Sequence, residues 1–137
     1  MPGIFHEVNI KASPEMVFLA ITDENLLACW WLTGAKIHSE LGAQGVFPLS
    51  KDGKEKIVVE ILRFDLNQWV TWKCIEHPSK EWLNTEISFE LVRNNANDCT
   101  LRFRHQGFQD ESGSFGAASF QWAAQYLNNL KILLEKK

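Results

Sequence analysis

The side chains that could do acid–base or metal chemistry are few and widely spaced. The four histidines lie at positions 6, 38, 77 and 105, too scattered in sequence to predict a metal site. His105 follows Leu101 and Phe103 in steps of two residues, so we expect all three on one face of a strand. Two interpretations remain open for His105. It is either a polar contact at a cavity or, as we prefer, a packed histidine that donates to a backbone carbonyl.

Two further residues are candidates for a proton donor or acceptor. His6 alternates with Ile4 and Val8, so the same two interpretations apply to it. Glu60 lies in an apolar run without clean alternation, and facing inward it would be a usable acid because burial disfavours the charged form. Outward is the preferred orientation. The P-loop, the G-x-S-x-G elbow, H-E-x-x-H and the calcium loop are all absent from the sequence, so no catalytic residue, metal ligand or cofactor is predicted.

The composition stands out in its aromatic content. The 137 residues include six Trp and nine Phe but a single Tyr. Large rings fill protein cores and also line apolar pockets. The charge is unremarkable, with 14 Lys and Arg against 17 Asp and Glu, a net charge of −3. That balance gives no electrostatic reason to expect a nucleic acid or an anionic membrane as partner.

The spacing of the cysteines and the length of the apolar runs indicate in which cellular compartment we expect the protein. Cys29, Cys74 and Cys99 are far apart and form no C-x-x-C motif, so we expect reduced thiols. No secretory signal is readable at the N-terminus, and the longest apolar run, Leu26 to Leu32, is too short to cross a bilayer. The sequence therefore predicts one cytoplasmic domain over residues 1–137.

The N-terminal residues predict a strand followed by two short helices. Alternation from Ile4 to Ile10 is typical of a strand. Ser13 and Pro14 are typical of a helix start, and Thr22-Asp23-Glu24 predicts a second start after the first apolar stripe. Gly34 is expected to end the second helix.

The middle of the chain predicts six strands. Glycine, aspartate and asparagine separate these runs, and connections this short require antiparallel pairing. Gly42–Gly45 and Asn94–Asp98 are among the predicted turns. The predicted strands are Ala35–Leu41, Val46–Ser50, Lys56–Phe64, Trp69–Ile75, Thr85–Val92 and Thr100–His105.

The last segment predicts a long amphipathic helix that covers the sheet. Asp110, Ser112 and Ser114 are alternative caps, and Ile132 is the one apolar residue on the polar side. The fold class is therefore α+β with the order β-α-α-β6-α. The expected apolar stripe consists of Phe115, Ser119, Phe120, Trp122, Ala123, Tyr126, Leu127, Leu130, Leu133 and Leu134.

This element order, together with several phrases, resembles the START-like (SRPBCC, helix-grip) superfamily, and within it the branch named for the activator of heat-shock protein 90 ATPase. The resemblance covers essentially the whole chain. It implies a curved seven-stranded antiparallel sheet around a long C-terminal helix, with an apolar cavity between them. The phrases that carry it are Val8-x-Ile10-x-Ala12-Ser13-Pro14-Glu15-x-Val17-Phe18, Trp30-Trp31, Thr71-Trp72, Trp82-x-x-Thr85, His105-x-Gly107-Phe108 and Trp122.

The resemblance leads to three alternative functions. The first is binding of a small, largely apolar molecule in the cavity, without catalysis. The second is a cyclase- or hydrolase-like reaction there, with His105, His6 or Glu60 as acid or base. The third is an interaction module acting on a chaperone, the other partner that the resemblance implies. The candidate cavity wall consists of Phe47, Trp72, Phe89, Phe103, His105, Trp122 and Tyr126.

Overall fold

The computed structural model describes residues 3–31, 35–37, 40–50, 52, 54–78, 80–108, 122 and 126–135. None of the helices in these ranges combines the length and the hydrophobicity needed to cross a bilayer. In chain order the elements are strand β1 (Gly3–Ile10), helices α1 (Pro14–Thr22) and α2 (Glu24–Trp30), strands β2 (Lys36–Ile37), β3 (Gln44–Pro48), β4 (Lys56–Asp65) and β5 (Trp69–Glu76), a 3-10 helix (Lys80–Trp82), strands β6 (Glu86–Asn95) and β7 (Asp98–Gln106), and helix α3 (Leu127–Glu135).

All seven strands form one curved antiparallel sheet in the order β1-β7-β6-β5-β4-β3-β2. Strands β2 to β7 follow one another as a meander, and β1 pairs with β7 along its whole length. The predicted α+β architecture is confirmed. The sheet has an inner face, on which helices α1, α2 and α3 pack, and an outer face.

Both predicted helix starts are confirmed. The Ser13 hydroxyl accepts from the Met16 backbone N–H at 3.2 Å, and Pro14 occupies the first turn of α1. The Asp23 carboxylate accepts from the backbone N–H groups of Asn25 at 2.9 Å and Leu26 at 3.1 Å. These side chains satisfy donors that the first turn of a helix leaves without partners. Gly34, predicted to end α2, lies outside the described residues.

Two predicted boundaries are wrong. Within the described part of the predicted strand Ala35–Leu41, the strand β2 covers two residues, and Leu41 lies in a turn. The predicted turn at Asn94–Asp98 shrinks to two residues because β6 and β7 continue further. There the Asn94 amide donates across the hairpin to the Asp98 carboxylate at 2.8 Å and to the Thr100 hydroxyl at 2.9 Å. Side chains usually found in turns thus hold the two strands together.

Alternation along the strands separates the two faces. In β1, Ile4 and Ile10 are buried on the inner face, whereas Phe5 on the outer face is 59% exposed. In β7, Phe103 and His105 are buried on the inner face, as predicted. The inner faces of β1 and β7 therefore belong to the core of the protein.

Helix α3 is tied to the edge strand β1. The Lys131 ammonium donates to the backbone carbonyl of Asn9 at 2.7 Å and pairs with Glu135 at 2.7 Å. The Glu135 carboxylate in turn accepts from the backbone N–H of Lys11 at 2.9 Å. Ile132, expected on the polar side, is 58% exposed.

Most of the predicted N-terminal half of this helix lies outside the described residues. Trp122 and Tyr126 are the exceptions, and both are buried. The predictions that fall outside are the caps Asp110, Ser112 and Ser114 and the stripe residues Phe115, Ser119, Phe120 and Ala123.

Two glycines with positive φ provide a matched test of the backbone near His105. Gly107 has φ +103°, and a Cβ there would lie 3.2 Å from the Thr85 Cα, whereas Gly42 has φ +83° and open space. We expect Gly42→Ala to lower the free energy of unfolding by about 1 kcal/mol through backbone strain alone. Gly107→Ala should cost about 2 kcal/mol or more, because the Thr85 backbone must also move. Urea denaturation measures both, and equal losses would contradict the close approach.

Candidate functional site

The seven residues predicted for the cavity wall lie together on the inner side of the sheet. All seven are buried. Trp72 contacts Phe47 with ring centroids 5.0 Å apart and Phe89 at 4.9 Å, so the rings of β3, β5 and β6 form one row. Phe103 continues that row onto β7, 5.4 Å from Phe89. Strand alternation thus brings together residues far apart in sequence.

Rings from the helices close over this row. Trp122 packs 4.4 Å from Phe103, and Tyr126 lies 5.1 Å from Trp122. Trp31, at the end of α2, stacks on Tyr126 at 4.0 Å with an angle of 2° between the planes, and contacts Phe47 at 5.4 Å. We call the seven predicted residues, together with Trp31, Trp82 and Phe108, the aromatic cluster.

His105 is the polar centre of the aromatic cluster. Trp122 Nε1 donates to His105 Nδ1 at 3.1 Å, and His105 Nε2 lies 2.9 Å from the Thr85 hydroxyl. Because an indole N–H can only donate, Nδ1 must be the acceptor and Nε2 must carry the proton. His105 therefore donates to Thr85, whose hydroxyl donates onward to the Trp82 carbonyl at 2.5 Å. The chain of three bonds fixes a neutral tautomer.

Burial favours the same neutral form. Desolvation, with a smaller contribution from the charge of His77, lowers the pKa of His105 from 6.5 to about 3. Since both ring nitrogens already hold partners, His105 has no free nitrogen for proton transfer or metal binding. It is packed, as the preferred interpretation held, but it donates to a hydroxyl and not to a backbone carbonyl.

The other two acid–base candidates do not join His105. Glu60 pairs in register with Lys73, between the inner-face residues Val59 and Ile61, and so lies on the outer face. His6 is half-buried and stacks on Phe103 with centroids 6.2 Å apart. Within the described ranges no group of three or more His, Cys, Asp or Glu side chains is arranged to hold a metal ion.

Sequence reasoning did not assign a role to Thr85. Its backbone N–H and its hydroxyl both reach the Trp82 carbonyl, at 3.1 Å and 2.5 Å, because the 3-10 helix ends three residues earlier. That turn holds the Thr85 hydroxyl within hydrogen-bond distance of His105 Nε2. The available signal was the spacing Trp82-x-x-Thr85, whose function becomes visible only when β7 lies alongside.

The outer face carries a separate polar cluster. Trp69 is half-buried there, with the Arg63 guanidinium 4.1 Å and the Arg104 guanidinium 5.4 Å from its ring centroid. Its indole N–H donates to the Thr71 hydroxyl at 2.8 Å, which lies 3.0 Å from the Ser88 hydroxyl. Cation–π contacts and these bonds thus give the Trp69 ring, its indole N–H and the Thr71 hydroxyl partners on the outer face.

Comparison with known proteins agrees with the observed fold. The family model described as Activator of Hsp90 ATPase homolog 1-like protein matches residues 11–135. The solution structure of the Aha1 dimer from Colwellia psychrerythraea is similar over 99% of this chain and 98% of that chain, with TM-score 0.88 and 27% identity. The predicted helix-grip fold and family are confirmed.

Two more distant structures share the fold. A crystal structure from Mesorhizobium loti has TM-score 0.84 and 22% identity over 99% of this chain and 98% of that chain. An HSP90 activator from Plasmodium falciparum has TM-score 0.78 and 17% identity over 96% and 95% of the two chains. No curated protein matches the sequence.

The lowered pKa of His105 predicts a specific acid sensitivity. Between pH 6.5 and about 3 the unfolded chain binds a proton at His105 that the folded chain does not, so stability falls as the pH falls through this window. At pH 5 the loss from this group is about 2 kcal/mol. Urea denaturation at pH 7.5 and pH 5 should show that loss in the parent chain and not in His105→Gln. An NMR titration in which the His105 ring protonates near pH 6.5 would contradict it.

Two buried tryptophans test the bond to His105. Trp72→Phe and Trp122→Phe remove similar volume from residues that are at most 1% exposed. Trp122→Phe also leaves His105 Nδ1 without its donor, whereas Trp72 Nε1 has no partner to lose. We expect Trp122→Phe to be the more destabilising by about 1–3 kcal/mol. Equal losses in urea denaturation would mean that the bond contributes nothing.

Proposed function

We propose that this chain, which belongs to the family of Activator of Hsp90 ATPase homolog 1-like proteins, binds one small, largely apolar molecule between its sheet and its C-terminal helix. The wall of that site would consist of Phe47, Trp72, Phe89, Phe103, His105, Trp122 and Tyr126. His105 would act as a neutral, fixed part of the wall and not as a charged contact.

The observation that carries the proposal is the composition of the aromatic cluster. Its ring contacts run without interruption from Phe47 on β3 to Phe103 on β7 and up to Tyr126. None of the described Asp, Glu, Lys or Arg side chains is buried. A site built in this way favours apolar surface and disfavours net charge, because nothing in it would compensate a buried ion.

Magnitudes limit the affinity that such a site can reach. Burying about 300 Å² of apolar ligand surface contributes about 7 kcal/mol at about 25 cal/mol per Å². Loss of translational and rotational freedom opposes association by at least about 4 kcal/mol. The remainder corresponds to modest affinity unless a polar anchor adds to it.

A ligand screen tests the proposal directly. We expect a hit from a panel of apolar compounds, present at about 100 times its Kd, to stabilise the chain by about 2.7 kcal/mol and raise its Tm by several degrees. Phe89→Leu, within the aromatic cluster, should weaken that binding. The matched control Phe5→Leu, on the outer face and 59% exposed, should leave it unchanged. If no compound of the panel shifts the Tm or any buried methyl resonance in NMR, the proposal is wrong.

The enzymatic alternative receives less support from the geometry. Both nitrogens of His105 are engaged, and Glu60 lies on the outer face of the sheet. A cyclase- or hydrolase-like reaction would therefore need His6 alone, or a group that sequence reasoning did not single out.

A second candidate function is regulation of a chaperone, favoured by the family description and by the similarity to an HSP90 activator. The test is an ATPase assay of a bacterial heat-shock protein 90 homologue with and without this chain. We expect a several-fold stimulation that saturates with added chain, if this function applies. An unchanged ATPase rate, with no co-migration of the two proteins in gel filtration, would exclude it.

The cysteines support a cytoplasmic location, which we also propose. All three are free thiols, with Cys29 exposed and the other two buried. Burial raises the pKa of Cys74 to about 12, so its thiol stays protonated and unreactive. Free thiols in this number are usual in a reducing compartment.

A further inference from the structure

Trp72 carries a buried donor without a partner. Its side chain is 1% exposed, and its Nε1 is, within the part of the chain described here, the one fully buried side-chain nitrogen or oxygen that makes no hydrogen bond. A buried donor left unpaired costs about 1–3 kcal/mol relative to one that is bonded. Native interiors hold few such groups, and each requires an explanation.

The other tryptophans show how the fold treats an indole N–H. Trp30 donates to the Ala20 carbonyl at 2.8 Å, and Trp31 donates to the Pro48 carbonyl at 2.8 Å. Trp69 and Trp122 donate to side chains, as described above. Four of the other five indole donors thus have acceptors, whereas the buried donor of Trp72, at the centre of the sheet, has none.

The place of Trp72 makes the missing partner informative. It lies on the inner face of β5, within the aromatic cluster, with Phe47 and Phe89 on either side at ring-plane angles of 60° and 66°. Its neighbours in register, Ile61 on β4 and Ile87 on β6, are apolar. Ring faces are weak acceptors, so the Trp72 donor keeps most of its capacity to bond.

We infer that Trp72 Nε1 is the polar anchor of the proposed ligand site, donating to an acceptor oxygen on the bound molecule. This inference rests on the proposed function and narrows the ligand class. One donor, with no buried charged side chain among the residues that the structure describes, selects a neutral, mainly apolar molecule with one acceptor, such as an aromatic ketone or a quinone. A carboxylate or an ammonium group would enter the aromatic cluster without a counter-ion.

Matched pairs of probes test this anchor. 9-Fluorenone and fluorene differ by a carbonyl in place of a methylene, and 1-indanone and indane repeat the comparison at smaller size. We expect the ketone of the better-fitting pair to bind about tenfold more tightly than its hydrocarbon, the effect of one hydrogen bond gained by a buried donor. In ¹H–¹⁵N spectra the ketone alone should move the Trp72 indole proton downfield, a measurement on the parent chain that needs no variant.

Variants then assign the effect to Trp72. Trp72→Phe should abolish the tenfold preference while still binding the hydrocarbon. The control Trp69→Phe, which removes an indole from the outer face, should keep the preference. If ketone and hydrocarbon bind equally and the Trp72 resonance shifts with neither, the anchor is refuted while the proposed function stands. If no member of either pair binds, the proposed function fails and this inference fails with it.

Discussion

The bond from Trp122 Nε1 to His105 Nδ1 is the contact on which the interior of this protein depends. It joins Trp122 to His105 on β7, and His105 is bonded in turn to the Thr85 hydroxyl in the loop before β6. The Trp122 indole N–H, the His105 ring and the Thr85 hydroxyl would each be costly to bury without a partner, and here each bonds to the next. The order of donors leaves one consistent arrangement of protons, and the bond at its end holds the Trp122 ring in a defined position against β7.

The same bond decides what His105 can do. A histidine in an apolar interior is often read as a catalytic base, and its lowered pKa makes it a stronger candidate by that reasoning. The geometry reverses the conclusion, because desolvation is the main cause of the shift and both nitrogens are occupied. A proton added to Nδ1 would remove the acceptor of the Trp122 indole N–H and weaken the attachment of Trp122 to β7. His105 therefore serves the fold, and chemistry in this interior would have to come from elsewhere.

Sequence reasoning reached the features that depend on neighbours along the chain. The caps Ser13 and Asp23 and the inward face of His105 follow from local spacing, and the structure agrees with each. It failed at Asn94, because the amide of a turn-forming residue found acceptors on the opposite strand. It also could not find the partner of His105, since Trp122 lies 17 residues away and meets it only after the sheet has formed. A contact between residues far apart in the chain leaves no recognisable pattern in the sequence around either of them.

The two faces of the sheet carry different kinds of side chain. The inner face holds rings, the fixed His105 and the unpaired indole donor of Trp72, the groups on which the proposed binding of a small neutral molecule rests. The outer face holds Arg63, Arg104 and half-buried Trp69, with Glu90 pairing with Arg104 at 3.2 Å. This pair is partly buried, with side chains 31% and 24% exposed, and it joins β6 to β7 across the outer face. Because β-strand alternation keeps the two sets of side chains on opposite faces, a substitution such as Phe89→Leu tests the proposed ligand binding without replacing an outer-face side chain.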